Sequence, residues 1–177
     1  MKKIMLLFSV ILVTWSCKEK TESTISEVIK EPITEKFLPI PIFNFETLED
    51  AYFNKEDGST YVINFWATWC KPCVKELPAF EKLNENYKEQ GIKVVLVSLD
   101  FPEKIKTGVV PFIEKHQLLS EVVLLDDPDA NTWIPKVSEA WSGAIPATLI
   151  IKDGKKVFFE KSFTYEELET EIKAITQ

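Results

Sequence analysis

The sequence predicts an α/β domain, a central mixed β-sheet flanked by helices on both faces. Three observations lead there. Runs dense in β-branched and aromatic residues, such as Thr60–Trp66 and Glu121–Leu125, alternate with segments of helical periodicity. Ile92–Leu99 is nearly continuous in apolar residues, as expected of a strand buried on both faces of a parallel sheet. Asp153-Gly154 parts two further runs with a turn pair that favours a tight hairpin, so at least one strand pair is antiparallel. A chain of 177 residues that is 45% hydrophobic and 28% charged suits one globular domain, and 12 Phe, 5 Trp and 4 Tyr supply its core.

Lys2 and Lys3 precede an apolar run from Ile4 to Val13, broken only by Ser9, after which Thr14, Ser16 and Cys17 turn the chain polar. That order is a secretory signal, here residues 1–16. Ten helical residues reach roughly 15 Å, about half the hydrocarbon thickness, so a membrane-spanning helix is disfavoured. A buried core helix is disfavoured too, since the run has no polar face. Val13-Thr-Trp-Ser-Cys17 resembles the lipobox of bacterial lipoproteins, which implies lipid attachment at Cys17; a free or removed Cys17 is the alternative. Residues 17–36 are mostly Lys, Glu, Thr and Ser and are interrupted by Pro32, which reads as a tether. About 19 flexible residues would span roughly 25 Å. The folded domain is placed at 37–177.

Within it, Phe37–Phe45 carries Pro39 and Pro41 and reads as an extended edge segment, followed by a short helix at Glu46–Phe53. Thr60–Trp66 is a strand. A helix begins near Cys70, with Phe80, Leu83 and Tyr87 on one face, and ends at Gly91. Ile92–Leu99 then completes a βαβ unit. Val110–His116 is a helix with Pro111 in its first turn, Glu121–Leu125 a strand, and Trp133–Trp141 a further helix. Ala147–Lys152 and Lys155–Glu160 form the hairpin. Thr164 and Glu167 make a capping box for the last helix, whose apolar stripe is Leu168, Ile172 and Ile175. No internal repeat is apparent.

The charge balance of 21 basic against 28 acidic residues, net −7 with one His, argues against a nucleic-acid partner. Three cysteines are too few for a disulfide-built fold. Two of them stand in Trp69-Cys70-Lys-Pro-Cys73, where a strand gives way to a helix. The unpaired N–H groups of a helix start favour thiolate, and Lys71 adds to them. A thiol of ordinary pKa is about 3% ionised at pH 7, whereas one lowered to about 7 is half ionised. Cys73, one turn on, can attack a mixed disulfide on Cys70 and release the partner, which makes Cys70 the nucleophile and Cys73 the resolver. A structural zinc site would need about four ligands, and beyond this pair there are only Cys17 and His116, the latter a surface helix residue. An inert structural disulfide is a second alternative, although so short a loop gains little from a bridge. A peroxidatic cysteine would not need Cys73 at this spacing. Asp127-Pro-Asp129-Ala-Asn131 begins like a calcium loop, but Thr132 and Ser138 stand where Gly and Glu are needed, so it reads as a helix-start cap.

The segment Asn64-Phe-Trp-Ala-Thr-Trp-Cys-Lys-Pro-Cys-Val-Lys-Glu-Leu-Pro78, with Gly143-Ala-Ile-Pro-Ala-Thr148, resembles the TlpA/ResA-like thiol-disulfide oxidoreductases of the thioredoxin-fold superfamily. The resemblance implies a thioredoxin-like fold and a cis-proline at Pro146 packed beside the thiols. It implies that the Ile145 backbone pairs with substrate, with Trp69, Lys71 and Pro72 the other substrate-facing residues. Asn64 stands where cytoplasmic thioredoxins have a buried Asp, which passes proton transfer at Cys73 to another group. Glu76, one turn further along, is the candidate, with a solvated helix glutamate as the alternative. Trp66 is assigned to the core, and Pro78 to a helix kink.

The expected protein is therefore an extracytoplasmic, lipid-anchored enzyme of the cell envelope that reduces protein disulfides through Cys70 and Cys73. It is expected to be a monomer, to use no cofactor or metal, and to draw electrons from a membrane-bound thiol donor. A disulfide oxidase or isomerase is one rival. A non-catalytic lipid-tethered binding module with a structural disulfide is the other.

Overall fold

A computed structural model describes residues 40–176. The signal segment 1–16, Cys17, the tether 17–36 and the start of the edge segment lie outside the described residues. Six strands form one sheet in the order β1-β4-β3-β2-β5-β6: β1 Ile42–Phe43, β2 Thr60–Trp66, β3 Ile92–Ser98, β4 Glu121–Leu125, β5 Ala147–Lys152 and β6 Lys155–Phe159. β1, β4, β3 and β2 run parallel to one another, whereas β5 is antiparallel to both β2 and β6. The mixed sheet expected from the sequence is thus present. All seven residues of β2, the central strand, are buried, because helices cover both faces of the sheet.

Among the described residues five α-helices accompany the strands: α1 Phe45–Leu48, α2 Lys71–Tyr87, α3 Val110–His116, α4 Ala130–Val137 and α5 Tyr165–Thr176. Side-chain alternation along β2 sends Ile63 and Phe65 into one core layer with Phe45, Trp133 and Trp141. Val62 and Trp66 go into the other, with Leu77, Phe80 and Leu83 of α2 and Leu168 and Ile172 of α5. Trp66 is fully buried there, in keeping with its core assignment, and lies 5.3 Å from Phe112.

Local chemistry sets most boundaries. The Asn44 side chain caps α1 by accepting the Thr47 amide at 2.9 Å, and the helix loosens into a wider turn over Glu49–Phe53. The left-handed Gly91 follows α2 and its short extension Lys88–Gln90. Asp153 and Gly154, both at positive φ, form the hairpin turn. Thr164 and Glu167 exchange hydrogen bonds as a capping box, with Thr164 N–H donating to Glu167 Oε2 and Glu167 N–H to Thr164 Oγ1.

Several boundaries differ from the sequence reading, among them that of the edge segment, since Phe45 already belongs to α1. α4 starts three residues before Trp133, because the Asp129 carbonyl accepts the Thr132 and Trp133 amides. It stops at Val137, where Ser138 turns extended, so Trp141 lies in the following loop. β3 ends at Ser98, with the Leu99 amide still bonded to the Trp66 carbonyl. β6 ends at Phe159, and Glu160 turns instead to the loop at Ser142.

Candidate active site

β2 ends at Trp66, and the turn Ala67–Cys70 leads into α2, with the Cys70 amide donating to the Ala67 carbonyl at 3.1 Å. Cys70 is the N-cap of α2, with extended backbone, and Pro72 sits in the first turn, where its missing N–H costs nothing. Cys70 and Cys73 are joined in a disulfide, their Cα atoms 5.3 Å apart. The Cys73 amide donates to Cys70 Sγ at 3.3 Å, so an N–H group of the helix start is aimed at the outer sulfur. Cys73 is fully buried and Cys70 is 5% exposed, beside the exposed Trp69, Lys71 and Pro72. This inner and outer arrangement suits a resolver behind a nucleophile.

The Ile145–Pro146 peptide is cis, and the Ile145 carbonyl oxygen lies 3.7 Å from Cys70 Sγ. The two segments that carried the resemblance therefore meet at one sulfur, although Cys70 and Ile145 are 75 positions apart in the chain. β2 and β5 bring them together through the pairs Phe65–Ala147 and Asn64–Thr148.

Glu76 is not the solvated helix residue that its spacing also allowed. It is 3% exposed, and burial pushes its carboxyl up to about 7 from an ordinary 4.5. Hydrogen bonds from the Phe163 amide at 2.8 Å and the Asn64 side-chain amide at 2.9 Å act in the opposite direction without offsetting it. Asn64 also donates to Thr148 Oγ1 at 3.2 Å, while its own Oδ1 has no hydrogen-bond partner. A carboxyl of this kind can take up and return a proton near neutral pH, one helical turn from Cys73.

Asp100 and Phe163 escaped the sequence reading. Asp100, 4% exposed, accepts the Thr68 amide at 2.9 Å, the Thr68 hydroxyl at 2.6 Å and the Ser98 hydroxyl at 2.9 Å, which fixes the turn that presents Trp69 and Cys70. The Ser98-x-Asp100 spacing after a buried strand was the available signal. Phe163 contributes only a backbone amide, for which the sequence carries no signal. His116 is exposed and stacks on Phe112 at 4.1 Å, away from this site's contacts. The Asp127 carboxylate accepts the Phe45 amide at the start of α1 and the amide of Asp129, the residue that precedes α4. Among the described residues no group of three or more His, Cys, Asp or Glu is placed to hold a metal ion.

Residues 39–159 match the sequence model of the AhpC/TSA family. The thiol-disulfide oxidoreductase ResA of Bacillus cereus is 34% identical over 143 residues, covering 77% of this chain and 76% of its own. ResA of Bacillus thuringiensis subsp. konkukian is 33% identical over 183 positions, covering 99% of each. Among solved structures, a putative thiol:disulfide interchange protein DsbE from Chlorobium tepidum superposes with a TM-score of 0.52 at 26% identity, over 66% of this chain and 79% of that one. With the fold and the cysteine pair, these similarities establish that the chain belongs to the AhpC/TSA family, close to the ResA thiol-disulfide oxidoreductases, and shares their enzyme class.

Proposed function

We propose that this protein reduces protein disulfides outside the cytoplasm, with Cys70 as nucleophile, Cys73 as resolver and Glu76 as the proton acceptor for Cys73. The observation that carries the reading is the placement of Cys70 Sγ, which receives the Cys73 amide at 3.3 Å and faces the Ile145 carbonyl at 3.7 Å. Helix-start donors favour a thiolate at Cys70 once the disulfide is reduced.

In the proposed cycle the Cys70 thiolate attacks one sulfur of a substrate disulfide. The S–S bond breaks, a mixed disulfide forms, and the first substrate sulfur leaves as thiolate. Cys73 passes its proton to the Glu76 carboxylate and attacks Cys70 Sγ, which expels the second substrate sulfur. Two electrons have then moved to the substrate, its two thiolates take up protons, and the enzyme holds the Cys70–Cys73 disulfide. A thiol donor at the membrane returns the two electrons by the reverse exchange. Trp69, Lys71 and Pro72, exposed around the sulfurs, and the Ile145–Pro146 backbone would receive the substrate chain.

Residues 1–16 act as the export signal, Cys17 as the lipid attachment point, 17–36 as the tether and 37–177 as the working domain. The basic start, apolar run and following Cys support that assignment. Among the described residues no helix is long and apolar enough to cross a membrane. The test is insulin reduction with dithiothreitol as the terminal donor. Wild type should accelerate it and Cys70→Ser should not; equal rates for the two would favour a binding module with a structural disulfide.

A further inference from the structure

The ladder between β5 and β6 closes with the pair Thr148–Phe159. At the next residue the side chain of Glu160 takes over from backbone pairing. Its carboxylate accepts the Ser142 amide at 2.8 Å and the Ser142 hydroxyl in a short hydrogen bond. These contacts hold the Glu160 carboxyl below the usual carboxylate range. On the other side of the loop, the buried Trp141 donates its indole N–H to the Ala144 carbonyl at 2.8 Å. Gly143 between them has φ +92°, and a Cβ there would approach Ile134 Cδ1 to 3.2 Å.

Ser142, Gly143 and Ala144 are themselves exposed, so these polar contacts hold the loop where core packing does not. The loop leads straight into Ile145–Pro146 and the carbonyl beside Cys70 Sγ. The geometry points to Glu160 as a positioning residue for protein substrates: its two bonds to Ser142 fix the loop whose Ile145 backbone would pair with the incoming chain. This rests on the reading of Ile145 given above. A protein disulfide approaching as an extended chain needs that backbone in place, whereas a small aromatic disulfide needs only the Cys70 sulfur. Loss of Glu160 should therefore separate the two substrates.

Full-length wild type, Glu160→Ala, Glu160→Gln and Ser142→Ala are assayed for insulin reduction with dithiothreitol as the terminal donor, reading KM and kcat separately, and, pre-reduced and freed of reductant, for a single turnover with 5,5′-dithiobis(2-nitrobenzoate). For Glu160→Ala, KM for insulin should rise about tenfold with kcat kept within about twofold, the size of one lost charge-assisted hydrogen bond. Glu160→Gln, which retains one acceptor oxygen, and Ser142→Ala, which retains the amide bond, should each show a smaller rise of about threefold. Rates with the small disulfide should stay within about twofold of wild type in all three. Should Glu160→Ala fail to fold, the two milder variants carry the same comparison. Unchanged insulin kinetics, or an equal loss with both disulfides, overturns the positioning role. A wild type that is inactive on insulin overturns the parent reading and this one with it, an outcome distinct from an active wild type matched by its Glu160 variants.

Discussion

Glu76→Gln makes the pH dependence of stability a direct measure of the buried carboxyl. Glu76 is 3% exposed, and its folded pKa of about 7 stands above the ordinary 4.5 because burial disfavours the charged form. A carboxyl raised in this way contributes fully below about pH 4.5, and its contribution is lost as pH climbs through about 7. At ~1.4 kcal/mol per pH unit the gap corresponds to about 3 kcal/mol of stability withdrawn between those limits. The amide introduced by the substitution would not titrate. Its carbonyl can still accept the Phe163 amide, and once the Asn64 amide, whose NH2 faces Glu76 at 2.9 Å, turns over, its NH2 can donate to the otherwise unpartnered Asn64 Oδ1. Urea unfolding of the disulfide-bonded wild type and variant across this range supplies the comparison. The variant should gain about 3 kcal/mol relative to wild type between the acid and the alkaline ends. A difference that stays constant with pH would mean that Glu76 titrates as an ordinary glutamate, and the proton-acceptor role would fall with it.

Alkylation of reduced Cys70 should show a midpoint clearly below that of a free thiol, and a midpoint near that value, about 8.5, would contradict stabilisation by the helix start. Cys73→Ser should accumulate a mixed disulfide with insulin that non-reducing electrophoresis resolves, and its absence would contradict the resolving role. Asp100→Ala strands the Thr68 amide and hydroxyl, so the protein should lose about 2 to 3 kcal/mol in urea unfolding; an unchanged midpoint would show that the turn before Cys70 is held by other contacts. Cys17→Ser should shift the protein from the membrane to the soluble fraction, and unaltered partitioning would contradict lipid anchoring.

The fold was legible where a single stretch of chain carries its own signal. β2, α3 and β4 fall where β-branched density, an early proline and an apolar run placed them. The hairpin and the last helix announce themselves through Asp153-Gly154 and Thr164 with Glu167. The CxxC pair and Pro146 were readable for the same reason, since their neighbours in the chain are part of the motif. α4 was misplaced, since the expected helix ran from Trp133 to Trp141 and the observed one spans Ala130–Val137. The two Trp residues do share a core layer, but Trp133 reaches it from the helix and Trp141 from the loop beyond.

What was not legible depends on partners far away in sequence. Spacing from Cys73 made Glu76 a candidate, but its burial depends on the loop at Phe163, 87 positions on, and on Asn64 of β2. Asp100 acquires its role from Thr68 across the parallel pair of β2 and β3, and Glu160 from Ser142 across the end of the hairpin. In each case a charged residue with the composition of a surface position is recruited by backbone donors that only the assembled sheet brings near.

The most direct test of the proposed function is the reduction potential of the Cys70–Cys73 couple, measured by equilibration with glutathione. A reductase predicts a value near thioredoxin's, roughly −270 mV, so that electrons flow from the dithiol to substrate disulfides. A value near roughly −120 mV, that of a strongly oxidising pair, would reverse the direction and contradict the proposal.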